Sequence, residues 1–233
     1  MLNFDGTSVE KEILAVMSDH MIHRGPDDEG FWMNGAAGIG MRRLSIIDLI
    51  GGHQPITNET GDVHIVLNGE IYNYRELHQE LVARGHIFTT KSDVEVVLHL
   101  YEELGAECVN RLNGMFAVAV YDQRSDQLWL ARDRLGIKPL YYCHFTNGLA
   151  FASDLSSLAA VLDADLDPVS LVSYLGYSYI PEPYTIYRNI HKLETAGQIL
   201  AESGEVKLSR YWHPNKLEPW HGSIEEASEN LEE

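Results

Sequence analysis

Apolar residues recur at helical spacing in three stretches of the first half of the chain. In residues 8–21, Val9, Ile13, Leu14, Met17 and Met21 fall on one face, and Thr7 and Glu10 stand at capping-box spacing. A second helix is predicted over 73–84, stopped by Gly85. A third follows Ser92, which stands three residues before Glu95. Val94, Val97, Leu98, Tyr101 and Leu104 make its stripe and Gly105 ends it. The remaining signals read as strands. Residues "FWM" and "GIGMRRLSII" flank Asn34-Gly35, a hairpin signature. "VHIVLN" (63–68) is a strand expected to stop at Asn68-Gly69-Glu70. Short apolar runs at 114–122, 127–132, 138–144 and 149–153 are joined by "QRSD", "DRLG" and "FTNG". Residues 23–30 and 51–62 read as loops, 168–175 as a short helix and 179–187 as an extended, proline-punctuated segment.

Tight turns between short strands imply antiparallel pairing, and near-continuous apolar runs imply burial on both faces. The predicted fold is therefore α+β: a four-layer α/β/β/α sandwich of two antiparallel sheets with helices outside. Residues 1–210 are expected to form this domain. After about residue 160 the pattern loosens. Residues 211–233 turn polar and acidic and read as a linker or tail.

Composition narrows the function classes. The 233 residues are 45% hydrophobic and carry 17 basic against 35 acidic side chains, a net charge of −18. Six of the glutamates lie in 217–233, without Lys or Arg. Such a balance disfavours nucleic acid, whose phosphates call for clustered basic residues. The longest apolar run, Met115–Tyr121, falls well short of the ~20 residues of a membrane span. The opening "MLNFDGTSVEKE" has acids where a signal peptide would be apolar. Two cysteines, Cys108 and Cys143, with no CxxC, do not make a disulfide scaffold. These readings together predict a soluble, cytoplasmic protein.

Chemistry concentrates at a few positions. Asn68-Gly69-Glu70 at a strand end is either an ordinary turn or a pair of donors beside a carboxylate. Asn68 offers a side-chain N–H and Gly69 an unshielded backbone N–H, the pairing an oxyanion requires. Arg42-Arg43 interrupts an apolar strand, so alternation sends one to each face. One is expected to be solvated. The other needs an anionic partner on a covered face, either a substrate carboxylate or a structural acid. Asp93 opens a helix, where the dipole alone accommodates an acid. Taken together, Arg43, Glu70 and Asp93 match the ends of a free amino acid, and Asn68 and Gly69 would face an amide carbonyl. Cys143 and His144 are strand neighbours that point oppositely, and Cys108 sits in a core stripe, so neither thiol reads as a nucleophile. No HExxH occurs among the 11 histidines. His20 and His23 lack partner ligands, so no metal site is assigned.

The segments "HRGPDDEGFW", "MRRLSIID", "VLNGEIYNYREL", "SDVEVVLHLYEELG", "RLNGMFAVAVYD" and "LARDRLGIKPLYY" resemble, in order, the glutaminase domain of class II glutamine amidotransferases. The match is to glutamine-hydrolysing asparagine synthetases, from about residue 3 to 212. The resemblance implies an N-terminal-nucleophile hydrolase fold and glutamine as substrate. It implies that Arg43 binds the α-carboxylate, that Asn68 and Gly69 form the oxyanion hole, and that Glu70 and Asp93 hold the ammonium. Leu44, Ile46 and Ile47 would lie beside the substrate. This domain would need no cofactor. ATP and Mg²⁺ would serve a separate synthetase domain that receives the ammonia. That synthetase domain is the implied protein partner, and a homo-oligomer is the further one expected, through a sheet edge left open by a missing first strand.

Two departures from the family pattern set further expectations. The family begins with a cysteine whose thiol attacks and whose α-amine acts as base, followed by a short apolar strand. "MLNFDG" matches the family a few residues later, and "ETAGQ" (194–198) replaces a Pro-Gly-His stretch. The expectation is glutamine binding without hydrolysis from these 233 residues, the chain being a truncated amidotransferase. The alternative is a non-catalytic glutamine-binding, regulatory domain.

Overall fold

A computed structural model describes residues 1–44, 52–216 and 220–232. The first half of the chain carries β1 (Leu2–Asn3), α1 (Lys11–Asp19), β2 (Asp28–Asn34), β3 (Ala37–Arg43), β4 (Ile56–Thr57), β5 (Val63–Ile71), α2 (Tyr74–Ala83) and α3 (Asp93–Leu104). Then come β6 (Gly114–Asp122), β7 (Gln127–Arg132), β8 (Tyr141–Phe145), β9 (Gly148–Ala152), α4 (Leu155–Ala159) and α5 (Pro168–Tyr177). The last are β10 (His191–Lys192), β11 (Gly197–Glu202), β12 (Glu205–Arg210) and α6 (Ile224–Glu232).

The strands form two six-stranded antiparallel sheets. Sheet I runs β10-β8-β9-β1-β3-β2 and sheet II runs β12-β11-β7-β6-β5-β4. Three apolar layers glue four structural layers, and side-chain alternation assigns each residue to its layer. Val63, Ile65 and Leu67 of β5 face Leu77 and Leu81 of α2 and Val97, Leu98 and Tyr101 of α3. The intervening Val66 faces the other sheet, with Ala117, Ala119, Leu130 and Ile199 from sheet II meeting Ala37, Ile39 and Leu149 from sheet I. On the outer side of sheet I, Cys143 and Ala150 pack with Leu14 and Met17 of α1 and Leu158 of α4. The four-layer sandwich expected from the strand pattern is therefore present. No helix among the described residues is long and apolar enough to cross a membrane.

Several expectations change. Helix α1 is shorter than 8–21: it starts at Lys11, and its N-cap, Glu10, makes no side-chain capping bond. The box at Ser92 is half formed. Ser92 Oγ accepts from Val94 N (3.2 Å), whereas Glu95 turns away to accept from Thr89 and Thr90. Strand β5 does not stop at Asn68 but runs to Ile71, opposite Gly114 of β6. The "DRLG" turn joins no hairpin, because β7 and β8 belong to different sheets. Buried polar residues make that crossing. Asp133 accepts backbone N–H bonds from Phe116, Leu135, Ile137 and Lys138, and Arg132 donates to three carbonyls and to Glu182. The loose region after residue 160 supplies the β11–β12 hairpin, which extends sheet II beside β7. The 51–62 loop holds β4, and α4 adds a short helix that the apolar pattern does not signal.

Candidate functional site

The period of two that builds the sheets also aims the chemistry. In β3, Ala37 and Ile39 face sheet II, and Met41 packs against that layer. Arg43 has the same parity. Arg42 has the other parity and faces α1, where its guanidinium meets Ser18 Oγ (2.9 Å), Asp19 (3.1 Å) and Glu29 (3.0 Å). The expected solvated arginine is thus a largely buried, ion-paired one, because α1 covers that face too. In β5, Asn68 and Glu70 share parity with Val66 and face the inter-sheet side. The two sheets therefore bring Arg43 and Asn68–Glu70 to one space from opposite walls.

Asp93 reaches it from the third direction. It is the first residue of α3, and its carboxylate accepts from Ile71 N at 2.9 Å, tying the helix start to the end of β5. Burial pushes its pKa above the ordinary carboxylate value against the pull of these backbone N–H bonds, and the neighbouring Glu70 charge pushes the same way. Two carboxylates that repel each other in a half-buried cleft favour a cation between them. Gly69 answers a packing demand. A Cβ there would fall 2.0 Å from the Met115 carbonyl oxygen, so only glycine lets β6 lie this close.

A cavity of about 610 Å³ occupies this space. Arg43, Leu44, Asn68, Gly69, Glu70 and Asp93 all line it. Ile46 and Ile47 lie outside the described residues. Arg43 also has Asp28 opposite it in the β2–β3 register. Asp28 is held below the usual carboxylate range first by its 2.8 Å hydrogen bond with His53, and the Arg43 charge adds a smaller pull. Met1 also lines the cavity, its backbone nitrogen donating to the Gly38 carbonyl at 2.5 Å. Cys108 and Cys143 are buried elsewhere, and burial raises both thiols.

Sequence reasoning missed other lining groups: Gln54, Tyr74 and Lys91. Gln54 acts as a strand in miniature, accepting from Leu67 N (2.7 Å) and donating to Leu67 O (3.2 Å). Its place in a Pro-containing loop gave no periodic signal. A fork-shaped cation on one wall and, on the other, two acids beside an Asn-Gly pair suit a small zwitterion carrying a carbonyl.

Comparison with known proteins gives a consistent picture. A family model described as "Glutamine amidotransferase domain" matches residues 2–212. Asparagine synthetase [glutamine-hydrolyzing] 1 of Bacillus subtilis is 38% identical over 211 residues, 90% of this chain and 33% of that protein. A putative asparagine synthetase [glutamine-hydrolyzing] 2 of Methanocaldococcus jannaschii is 35% identical, over 89% of this chain and 44% of its own length. The chain thus spans less than half the length of these relatives. Among solved structures, glutamine phosphoribosylpyrophosphate amidotransferase from B. subtilis superposes with a TM-score of 0.66 at 18% identity, covering 89% of this chain and 48% of that one. At that identity the likeness speaks for the fold alone, two antiparallel sheets with helices outside.

Proposed function

The chain belongs to the glutamine amidotransferase domain family, and from that premise we propose that its cavity binds free glutamine by both ends. Arg43 takes the α-carboxylate through a planar, two-pronged contact. Glu70 and Asp93 take the α-ammonium. The carboxamide carbonyl then lies against Asn68 and Gly69, whose N–H groups would stabilise the oxygen as negative charge develops on it. In the longer relatives, we propose, ammonia released at this site passes to a partner domain for asparagine formation. ATP and Mg²⁺ belong to that domain and not to this cavity.

The observation that supports this most is convergence. Five candidate residues from β3, β5 and α3 line one cavity. Calorimetric titration with glutamine tests it. The unmodified chain should bind, Arg43→Ala should weaken binding at least about tenfold, and alanine should bind far more weakly than glutamine. Unchanged affinity in Arg43→Ala would sink the reading. Any glutamate release, followed in parallel, should not be lowered by Cys108→Ser or Cys143→Ser, since neither thiol lines the cavity.

A further inference from the structure

Away from that cavity, on the far face of α3, two histidines and two glutamates converge. His99 is 1% exposed, and its Nδ1 lies 2.8 Å from Glu102 Oε2 and 3.7 Å from Glu59 Oε2. His86 Nδ1 lies 3.9 Å from the same Glu102 oxygen. One ligand atom each from Glu59, His86 and His99 fits within a mutual 4.8 Å. We propose that this cluster is a binding site for a divalent transition-metal ion of the zinc class, held by Glu59, His86 and His99, with Glu102 beside them.

The distances fit that chemistry. Bonds of about 2.05 Å from Zn²⁺ to imidazole nitrogen or carboxylate oxygen place tetrahedral ligand atoms about 3.3 Å apart. The 3.7 Å between Glu59 Oε2 and His99 Nδ1 is close to this value, and Glu102, 2.8 Å from the same nitrogen, would yield its hydrogen bond to the ion. A metal-bound histidine needs an acceptor for its other ring nitrogen, which the site supplies to His86 and, for His99, only the more distant Glu95 carboxylate offers. His86 Nε2 has Glu103 at 3.1 Å. His99 Nε2 is buried without a hydrogen-bond partner and faces Glu95 at 3.9 Å. Glu95 is in turn fixed by the Thr89 and Thr90 N–H and O–H groups. Asn58 Nδ2 donates to the second oxygen of Glu102 at 2.6 Å, steering the first toward the histidines. The ion would clasp three segments: the residues after β4, those after α2, and α3. No HExxH-type spacing announces it, because His86 precedes the helix that carries His99.

The competing occupant is a proton. The surrounding carboxylates raise the His99 pKa against the opposing effect of burial, and an imidazolium would also satisfy them. The test uses the full chain stripped with a chelator, then titrated with ZnCl₂ by calorimetry and with CoCl₂ by visible absorption. The expected result is one ion per chain, the intense band of tetrahedral cobalt, and a higher unfolding temperature in zinc. His86→Gln and Glu59→Gln, both at least partly solvent-exposed and each checked for fold by circular dichroism, should weaken binding tenfold or more. His144→Gln, on an exposed strand position, should not. Absence of stoichiometric binding, or binding unchanged in His86→Gln and Glu59→Gln, would overturn the proposal and leave a protonated His99 as the occupant.

Discussion

At the scale of single residues, the site is governed by where charge is made uncomfortable. Asp93 is the clearest case, since burial and Glu70 both raise its pKa. An ammonium is attracted only to the ionised carboxylate. Glutamine affinity should therefore hold near neutrality and fall as pH drops through the raised value. That fall begins at higher pH than an unperturbed aspartate would give. Titrations from about pH 4 to 8 should show Asp93→Asn binding more weakly at neutral pH and losing that part of the pH dependence. An identical pH profile in both proteins would place the ammonium elsewhere. Arg42 and Arg43 make the complementary point. Adjacent in sequence and alike in chemistry, they are separated in role by one step of the pleat. Both border the cavity, but the guanidinium of the first is engaged by Ser18, Asp19 and Glu29 on the α1 side, while the second has the parity that faces the other sheet.

Elements carry the next set of consequences, and the link between sheets is the most exposed to test. Asp133 is 1% exposed and accepts four backbone N–H groups, from Phe116, Leu135, Ile137 and Lys138. Asp133→Ala would strand these donors and should cost roughly 3 kcal/mol or more. Asp133→Asn keeps one acceptor oxygen and should cost less. Urea midpoints with unchanged slopes would measure both, and equal midpoints for wild type and Asp133→Ala would refute the role. This link also marks where sequence reading ran out. The β2–β3 hairpin, α2, α3, β6 and β7 were legible because turn residues and periodicity agreed. "DRLG" looked like a hairpin turn because nothing local distinguishes a turn back from a crossing to another sheet. Strand β11 was missed because its neighbour in the sheet, β7, lies some 70 residues earlier, so its burial is set by tertiary contact. Asn68-Gly69 was misjudged as a strand end because the partner that continues it, β6, gives no local sign of how closely it approaches. Of the candidate residues, Arg43, Leu44, Asn68, Gly69, Glu70 and Asp93 stand in legible motifs and line the cavity. The cohesion of the site was not legible, since Gln54, Tyr74 and Lys91 belong to no pattern.

For the molecule as a whole, the net charge of −18 sets a background against which local pairs act. Self-repulsion of like charges opposes the compact state. Raising salt from about 0.01 to about 0.15 M shortens the screening length from about 30 to about 8 Å. The urea midpoint should therefore rise with NaCl over that interval. A fall would mean that exposed pairs such as Arg111–Glu80 and Arg84–Glu80 outweigh the repulsion. The position of the cavity has a last consequence. Its walls come from β3 of one sheet and from β5 and α3 on the other. Whatever small molecule settles there becomes a cross-tie between two slabs whose shared interior is otherwise purely apolar packing. Recognition and mechanical cohesion then draw on the same few contacts, and a substitution that loosens one loosens the other.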